Sequence, residues 1–166
     1  MSTLATVQRT KGNGDGNGRD HRKSVALTLR PAGPRDAQPL SFFFDTVLRR
    51  DYFLRRGQLT DMLRSPYHQV YVAEIDRVLV GVAITTRGTR LVNALVHPAY
   101  RGLGIGRALV GYSGATEVRA KRDLSSGDPR GFYAALGFES TGQTNGKGNI
   151  EVMRLRVRRA PSKKVR

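Results

Sequence analysis

Between His97 and Val110 the chain reads HPAYRGLGIGRALV. Glycines alternate at 102, 104 and 106, with Arg101 and Arg107 beside them, and an apolar run follows. Glycine lets backbone pass close to a ligand with no Cβ in the way. A helix opening from such a loop adds unpaired N–H groups and the positive end of its dipole. The stretch therefore calls for a strand before it, a helix after it and an anion between them.

Two familiar phosphate loops fail on spacing. No Lys-Ser/Thr follows Gly106, which removes the Walker A P-loop. A dinucleotide loop needs G-x-G-x-x-G straight from a strand. Here the spacing is G-x-G-x-G, and residues His97 to Arg101 intervene, although Asp123 sits near the distance of the ribose-binding acid. The reading that fits better is a cradle for the pyrophosphate of an acyl-CoA.

The pattern around the loop supplies the elements. SVALTLRP from Ser24 alternates Val25, Leu27 and Leu29, a period-two strand. Arg35 to Arg50 carries Leu40, Phe43, Phe44, Val47 and Leu48 at helical spacing, with Pro39 set to delay or kink the helix. GQLTDMLRS predicts a second short helix ended by Pro66. HQVYVAEIDRVLVGVAITT reads as a hairpin turning at Asp76-Arg77, and TRLVNALV as a further strand. After the loop, GIGRALVGY predicts a helix, TEVRAK a strand, and DPRGFYAALGF a helix capped by Asp128 and stopped by Gly137. NIEVMRLRVR is the last strand, with a phase slip at Val152-Met153 that predicts a bulge. The order β-α-α-β-β-β-α-β-α-β, with room for a short strand near Phe138, predicts an α/β fold of the α+β kind. Its expected form is a central twisted mixed sheet with helices on both faces.

Composition narrows the chemistry. The 166 residues fit one domain, and 39% are hydrophobic, enough for a core. With no cysteine there is no disulfide frame, no thiolate zinc site and no cysteine nucleophile. The histidines, His21, His68 and His97, are scattered, so no metal is expected. No apolar run approaches a membrane span and no signal core opens the chain, so a cytoplasmic protein is expected. The net charge is +16, of which residues 1–23 carry +3 and residues 154–166 carry +7. Residues 1–23, with the run KGNGDGNGRD, read as a disordered basic tail, 24–158 as the folded domain, and 159–166 as a second basic tail. Such tails attract polyanions, nucleic acid first, or simply form a solvated basic surface. LRRDYFLRRGQL sets Arg49, Arg50, Arg55 and Arg56 among Tyr52 and Phe53, a pairing used on nucleic acid and equally a solvated helix face.

VHPAYRGLGIGRALV resembles the acyl-CoA signature of the GNAT (GCN5-related N-acetyltransferase) family, [Q/R]-x-x-G-x-[G/A], with Arg101, Gly104 and Gly106 in the fixed places. GFYAALGFES is similar to the family's later helix–strand segment, at Phe132, Tyr133, Gly137 and Phe138. LTLRPAGPRDAQPL resembles its first strand and helix, so the resemblance covers about Ser24 to Arg158.

The resemblance implies an acetyl-CoA-dependent N-acyltransferase acting by direct attack of an amine in a ternary complex. It implies that backbone near Leu95 and Val96 holds the pantetheine arm and polarises the thioester. It assigns Arg101, Gly102, Leu103, Gly104, Ile105, Gly106 and Arg107 to the pyrophosphate, Phe132 to packing against the arm, and Tyr133 to protonating the leaving thiolate. Where the family often has a glutamate base the chain has Asn93, which leaves Glu74, His97 and Asp128 as alternatives. The helix after the loop is shorter than the family's usual one. The amine acceptor is unnamed. The charge disfavours polyamines and histone-like tails and allows a nucleic-acid-associated acceptor. A monomer or homodimer is expected. The rival reading is a non-catalytic module of the same fold that holds nucleic acid on its basic surface.

Overall fold

The computed structural model describes residues 1–9, 23–47, 56–86, 89–122 and 127–156. They fall into two compact units, Met1–Ala115 and Thr116–Arg166.

The first unit is an antiparallel meander of five strands with helices on both faces. Its strands are β1 (Thr3–Arg9), β2 (Lys23–Pro31), β3 (His68–Ile75), β4 (Val78–Thr86) and β5 (Arg90–Val96), each paired with the next. Helices α1 (Ala37–Val47) and α2 (Arg56–Arg64) follow β2, and α3 (Ile105–Ser113) follows β5.

Period-two alternation sorts the strand residues between these helices. Val70, Val72, Val82 and Ile84 pack with Leu40, Phe43 and Phe44 of α1, joined by Met62 and Leu63 of α2. The opposite face carries small residues, Ala73, Gly81 and Ala83, beside Tyr71, whose ring meets Tyr112 of α3 edge-on at 5.6 Å. A Cβ at Gly81 would lie 2.7 Å from Leu109 Cδ1 and 3.1 Å from Ile105 Cγ2. Gly81 is thus where α3 comes down onto the sheet, the close approach that a glycine inside a strand often marks.

The first helix begins later than its apolar pattern predicts. A 3-10 turn at Pro34–Asp36 precedes α1, and Pro39 falls in the first turn of α1, where a missing N–H costs nothing. The turn is fixed by Arg30, whose guanidinium donates to both oxygens of Asp36, at 2.8 and 2.9 Å, and to Glu74 at 2.7 and 3.2 Å. Asp36 also accepts from Gly33 N at 2.8 Å. These bonds hold its carboxyl below the usual aspartate range, with the Arg30 hydrogen bonds the largest cause.

The expected disordered tail is corrected at its start. Thr3–Arg9 is a strand, with Ala5 opposite Leu27 and Val7 opposite Val25, and Val7 is buried. Its alternation of Ala5 and Val7 with Thr6 is weak and was masked in sequence by the Gly/Asn run beside it. That run, residues 10–22, lies outside the described residues, as does 157–166.

The second unit joins β6 (Glu117–Lys121), α4 (Arg130–Ala135), β7 (Phe138–Thr144) and β8 (Ile150–Leu155), with β8 central and antiparallel to both neighbours. The bulge predicted in β8 is also corrected. The β6–β8 register is unbroken, and the surplus residues belong to β7, where Thr141–Gln143 bow out opposite Val152. The Thr141 hydroxyl donates to the Val152 carbonyl at 2.8 Å and ties the bow down.

Candidate functional site

In the first unit the strand, the loop and the helix stand in the predicted order. His97 N donates to the Val80 carbonyl at 2.9 Å, which continues the β4–β5 register of Val96 with Gly81 and Leu95 with Val82. In an antiparallel ladder bonded pairs alternate with non-bonded ones. Leu95 therefore spends its backbone groups on Val82, and its side chain packs toward the α1 core. Val96 and Ala94 turn theirs to the strand's other edge. Of Leu95 and Val96, the two residues the resemblance assigns to the pantetheine arm, Val96 shares with Ala94 a backbone turned away from β4, whereas Leu95 faces β4.

Past β5, His97 caps a 3-10 turn at Pro98–Tyr100, its Nδ1 accepting from Ala99 N at 3.2 Å. Arg101 Nε then donates to the Val96 carbonyl at 3.2 Å, leaving the two terminal nitrogens of the guanidinium for an anion.

The alternating glycines divide by role. Gly102 and Gly104 are left-handed, at φ +79° and +82°, and a Cβ at either would meet nothing within 4 Å. Glycine is needed there for conformation, and the space above the loop is open. Gly106 lies within the first turn of α3. Gly104 is the N-cap, and the first helical bond runs from Ala108 N to Gly104 O at 3.0 Å. The N–H groups of Ile105, Gly106 and Arg107 precede that bond and have no partner within the helix. Ile105 meets a ligand through this N–H alone, since its side chain is buried against Gly81. Arg107 is exposed and Leu103 half-buried. The residues present thus suit a pyrophosphate: convergent N–H groups, a helix dipole and two guanidinium groups.

The second unit carries the other assigned residues. Tyr133 is buried on α4, its ring edge-on to Phe138 at 5.9 Å and to Phe132 at 5.2 Å. Phe132 is exposed.

The three base candidates are all engaged. Glu74 is gripped by Arg30. His97 uses Nδ1 as an acceptor, so in the neutral ring Nε2 carries the proton. Asp128 is bound by Arg130, whose hydrogen bonds bring its pKa down to about 2. The arginine–aromatic stretch from Arg49 to Arg55 lies outside the described residues, and Arg56 opens α2. Among the described residues no cluster of His, Cys, Asp or Glu is set to hold a metal, and no helix is long and apolar enough to cross a membrane.

In this mixed α/β chain a strand feeds a glycine loop and a helix N-terminus, an arrangement that offers backbone N–H groups to an anion. Residues 66–140 match the family model of the acetyltransferase (GNAT) domain. Solved structures share the fold. The ribosomal-protein-S18-alanine N-acetyltransferase of Escherichia coli is 16% identical with a TM-score of 0.62, covering 84% of this chain and 99% of its own. The PaiA N-acetyltransferase of Thermoplasma acidophilum, in complex with coenzyme A, is 15% identical with a TM-score of 0.58, over 79% and 99%. A GNAT-family acetyltransferase of Streptococcus pneumoniae is 18% identical with a TM-score of 0.56, over 76% and 97%. A comparison with curated proteins finds no match.

Proposed function

We propose that the chain moves an acetyl group from acetyl-CoA to an amine by direct attack in a ternary complex. One observation carries this reading: left-handed Gly102 and Gly104 deliver the N–H groups of Ile105, Gly106 and Arg107 to the end of β5, inside the segment matched by the acetyltransferase family. These residues, with Arg101 and Leu103, would hold the pyrophosphate. Backbone of Val96 and Ala94 would hold the arm and stabilise the oxyanion of the attacked thioester.

The amine nitrogen forms a bond to the acetyl carbon, the C–S bond breaks, and the thiolate leaves. The resemblance alone gives Tyr133 the role of proton donor to that sulfur and Phe132 that of covering the arm. Because Glu74, His97 and Asp128 are engaged, the acceptor enters as the free amine, its proton already lost to solvent. The rate should then rise tenfold per pH unit until the acceptor's own pKa is reached.

Calorimetric titration with acetyl-CoA tests the reading. Micromolar binding is expected, reduced at least tenfold in Gly104→Val, with kcat but not cofactor affinity falling in Tyr133→Phe. Absence of binding in the wild type would leave the loop without its ligand and overturn the proposal.

A further inference from the structure

A cavity of about 330 Å³ opens beside the glycine loop and is lined by Val25, Ile75, Asp76, Ala99, Tyr100 and Leu103. Its walls are apolar and aromatic, and Asp76 is the one charged side chain among them. That carboxylate is unusual in this chain, where 29 Lys and Arg face 13 Asp and Glu. Asp36 and Glu74 are paired with Arg30, Asp128 and Glu151 with Arg130, Glu117 with Arg154, and Glu139 with Arg156. Asp76 has no hydrogen bond or ion pair to another described residue.

The turn that carries it is a second, independent observation. Ile75 pairs with Val78 across a two-residue turn in which Asp76 and Arg77 are both left-handed, at φ +50° and +65°. Such turns favour Asn-Gly or Asp-Gly. Here Arg77 occupies the glycine place and carries the strain, while Asp76, a residue the turn accepts, stands at the cavity mouth. Strain of this kind gathers where a function needs it. Across the cavity the Tyr100 ring is steadied edge-on by His97 at 5.7 Å.

We propose that this cavity, which borders the phosphate loop at Leu103, is a second ligand site that takes an organic cation. Its ammonium would lie at Asp76 and the Tyr100 ring, and its apolar or aromatic body against Val25, Ile75 and Leu103. Asp76 is exposed at the rim, and a carboxylate beside an aromatic face, above apolar walls, selects such a cation over a neutral molecule of the same shape.

Benzyltrimethylammonium is the probe. It has no N–H, so it cannot serve as an acyl acceptor, and its binding is read apart from turnover. Calorimetry on the full chain should give saturable binding that weakens at least tenfold in Asp76→Asn. Asparagine suits the left-handed turn as well as aspartate does, so this variant keeps the fold. Val25→Phe, which fills the cavity and leaves the carboxylate, should abolish binding while the circular dichroism spectrum is retained. Coenzyme A should bind equally with and without saturating probe. No binding by the wild type, equal binding by Asp76→Asn, or competition with coenzyme A would each overturn the proposal. Failure of the acyltransferase reading would instead appear as loss of coenzyme A binding alone.

Discussion

Arg101 Nε donates to the carbonyl of Val96, so the arginine that opens the glycine loop also fixes the end of the strand before it. Charge and geometry are separable there. Arg101→Lys keeps the charge but loses the Nε donor and the planar fork. Acetyl-CoA affinity should fall about fivefold to tenfold, in line with about 1 kcal/mol for an exposed charge-assisted bond. Calorimetric titration checks this. An unchanged affinity would mean that the bond to Val96 has no part in shaping the loop.

Gly81 is the seat of α3. In Gly81→Ala the new methyl meets Leu109 Cδ1 at 2.7 Å, Ile105 Cγ2 at 3.1 Å and the Leu95 carbonyl at 3.2 Å. The Leu109 methyl can swing aside; the backbone oxygen of Leu95 cannot. Overpacking of this kind costs about 1–3 kcal/mol. Because Ile105 begins the helix, the displacement reaches the phosphate site as well. Urea unfolding should report the lost stability, and acetyl-CoA affinity should fall with it.

Two glycines around α3 should answer oppositely to alanine. Gly104 sits at φ +82°, where a side chain costs about 1–2 kcal/mol even in open space. Gly111 lies within α3, and a Cβ there meets nothing within 4 Å. Gly104→Ala should lower both stability and cofactor affinity. Gly111→Ala should raise stability by about 0.5–1 kcal/mol and leave affinity alone. Thermal unfolding of the pair checks the signs.

The sequence disclosed what period and punctuation encode. The β3–β4 hairpin turns at Asp76-Arg77 as expected, and the loop runs from β5 into α3. Other features depend on partners distant in the chain. Thr3–Arg9 is strand only because β2 offers Val25 and Leu27 to it. The Val152-Met153 slip was real as a pattern, yet the extra residues lie in β7, since a bulge is a property of a pair. Leu95 looked equivalent to Val96 until the β4 register separated their backbone directions. Gly81 could have been suspected, being a glycine within a β-rich run. The grip of Arg30 on Asp36 and Glu74 had no local signal, because it joins residues 44 positions apart.

That last cluster sets an acid limb to stability. Arg30 and Asp36 are mostly shielded, and Asp36→Asn removes one of two carboxylates from a single guanidinium. At neutral pH the cost should be about 2–3 kcal/mol, toward the lower end for breaking a buried pair because Glu74 remains. The Asp36 carboxyl is held below its ordinary 3.8 when folded. A depressed carboxylate stabilises the fold above its unfolded pKa, and that contribution fades as pH falls through 3.8 toward the folded value. The stability difference between wild type and Asp36→Asn should therefore be constant from pH 7 to about 5 and shrink steadily below about 4. Carboxylates common to both proteins cancel in the comparison. Urea unfolding at pH 7, 5, 4 and 3 measures it; a difference that stays level down to pH 3 would mean that Asp36 gains nothing from its ionised bonds to Arg30.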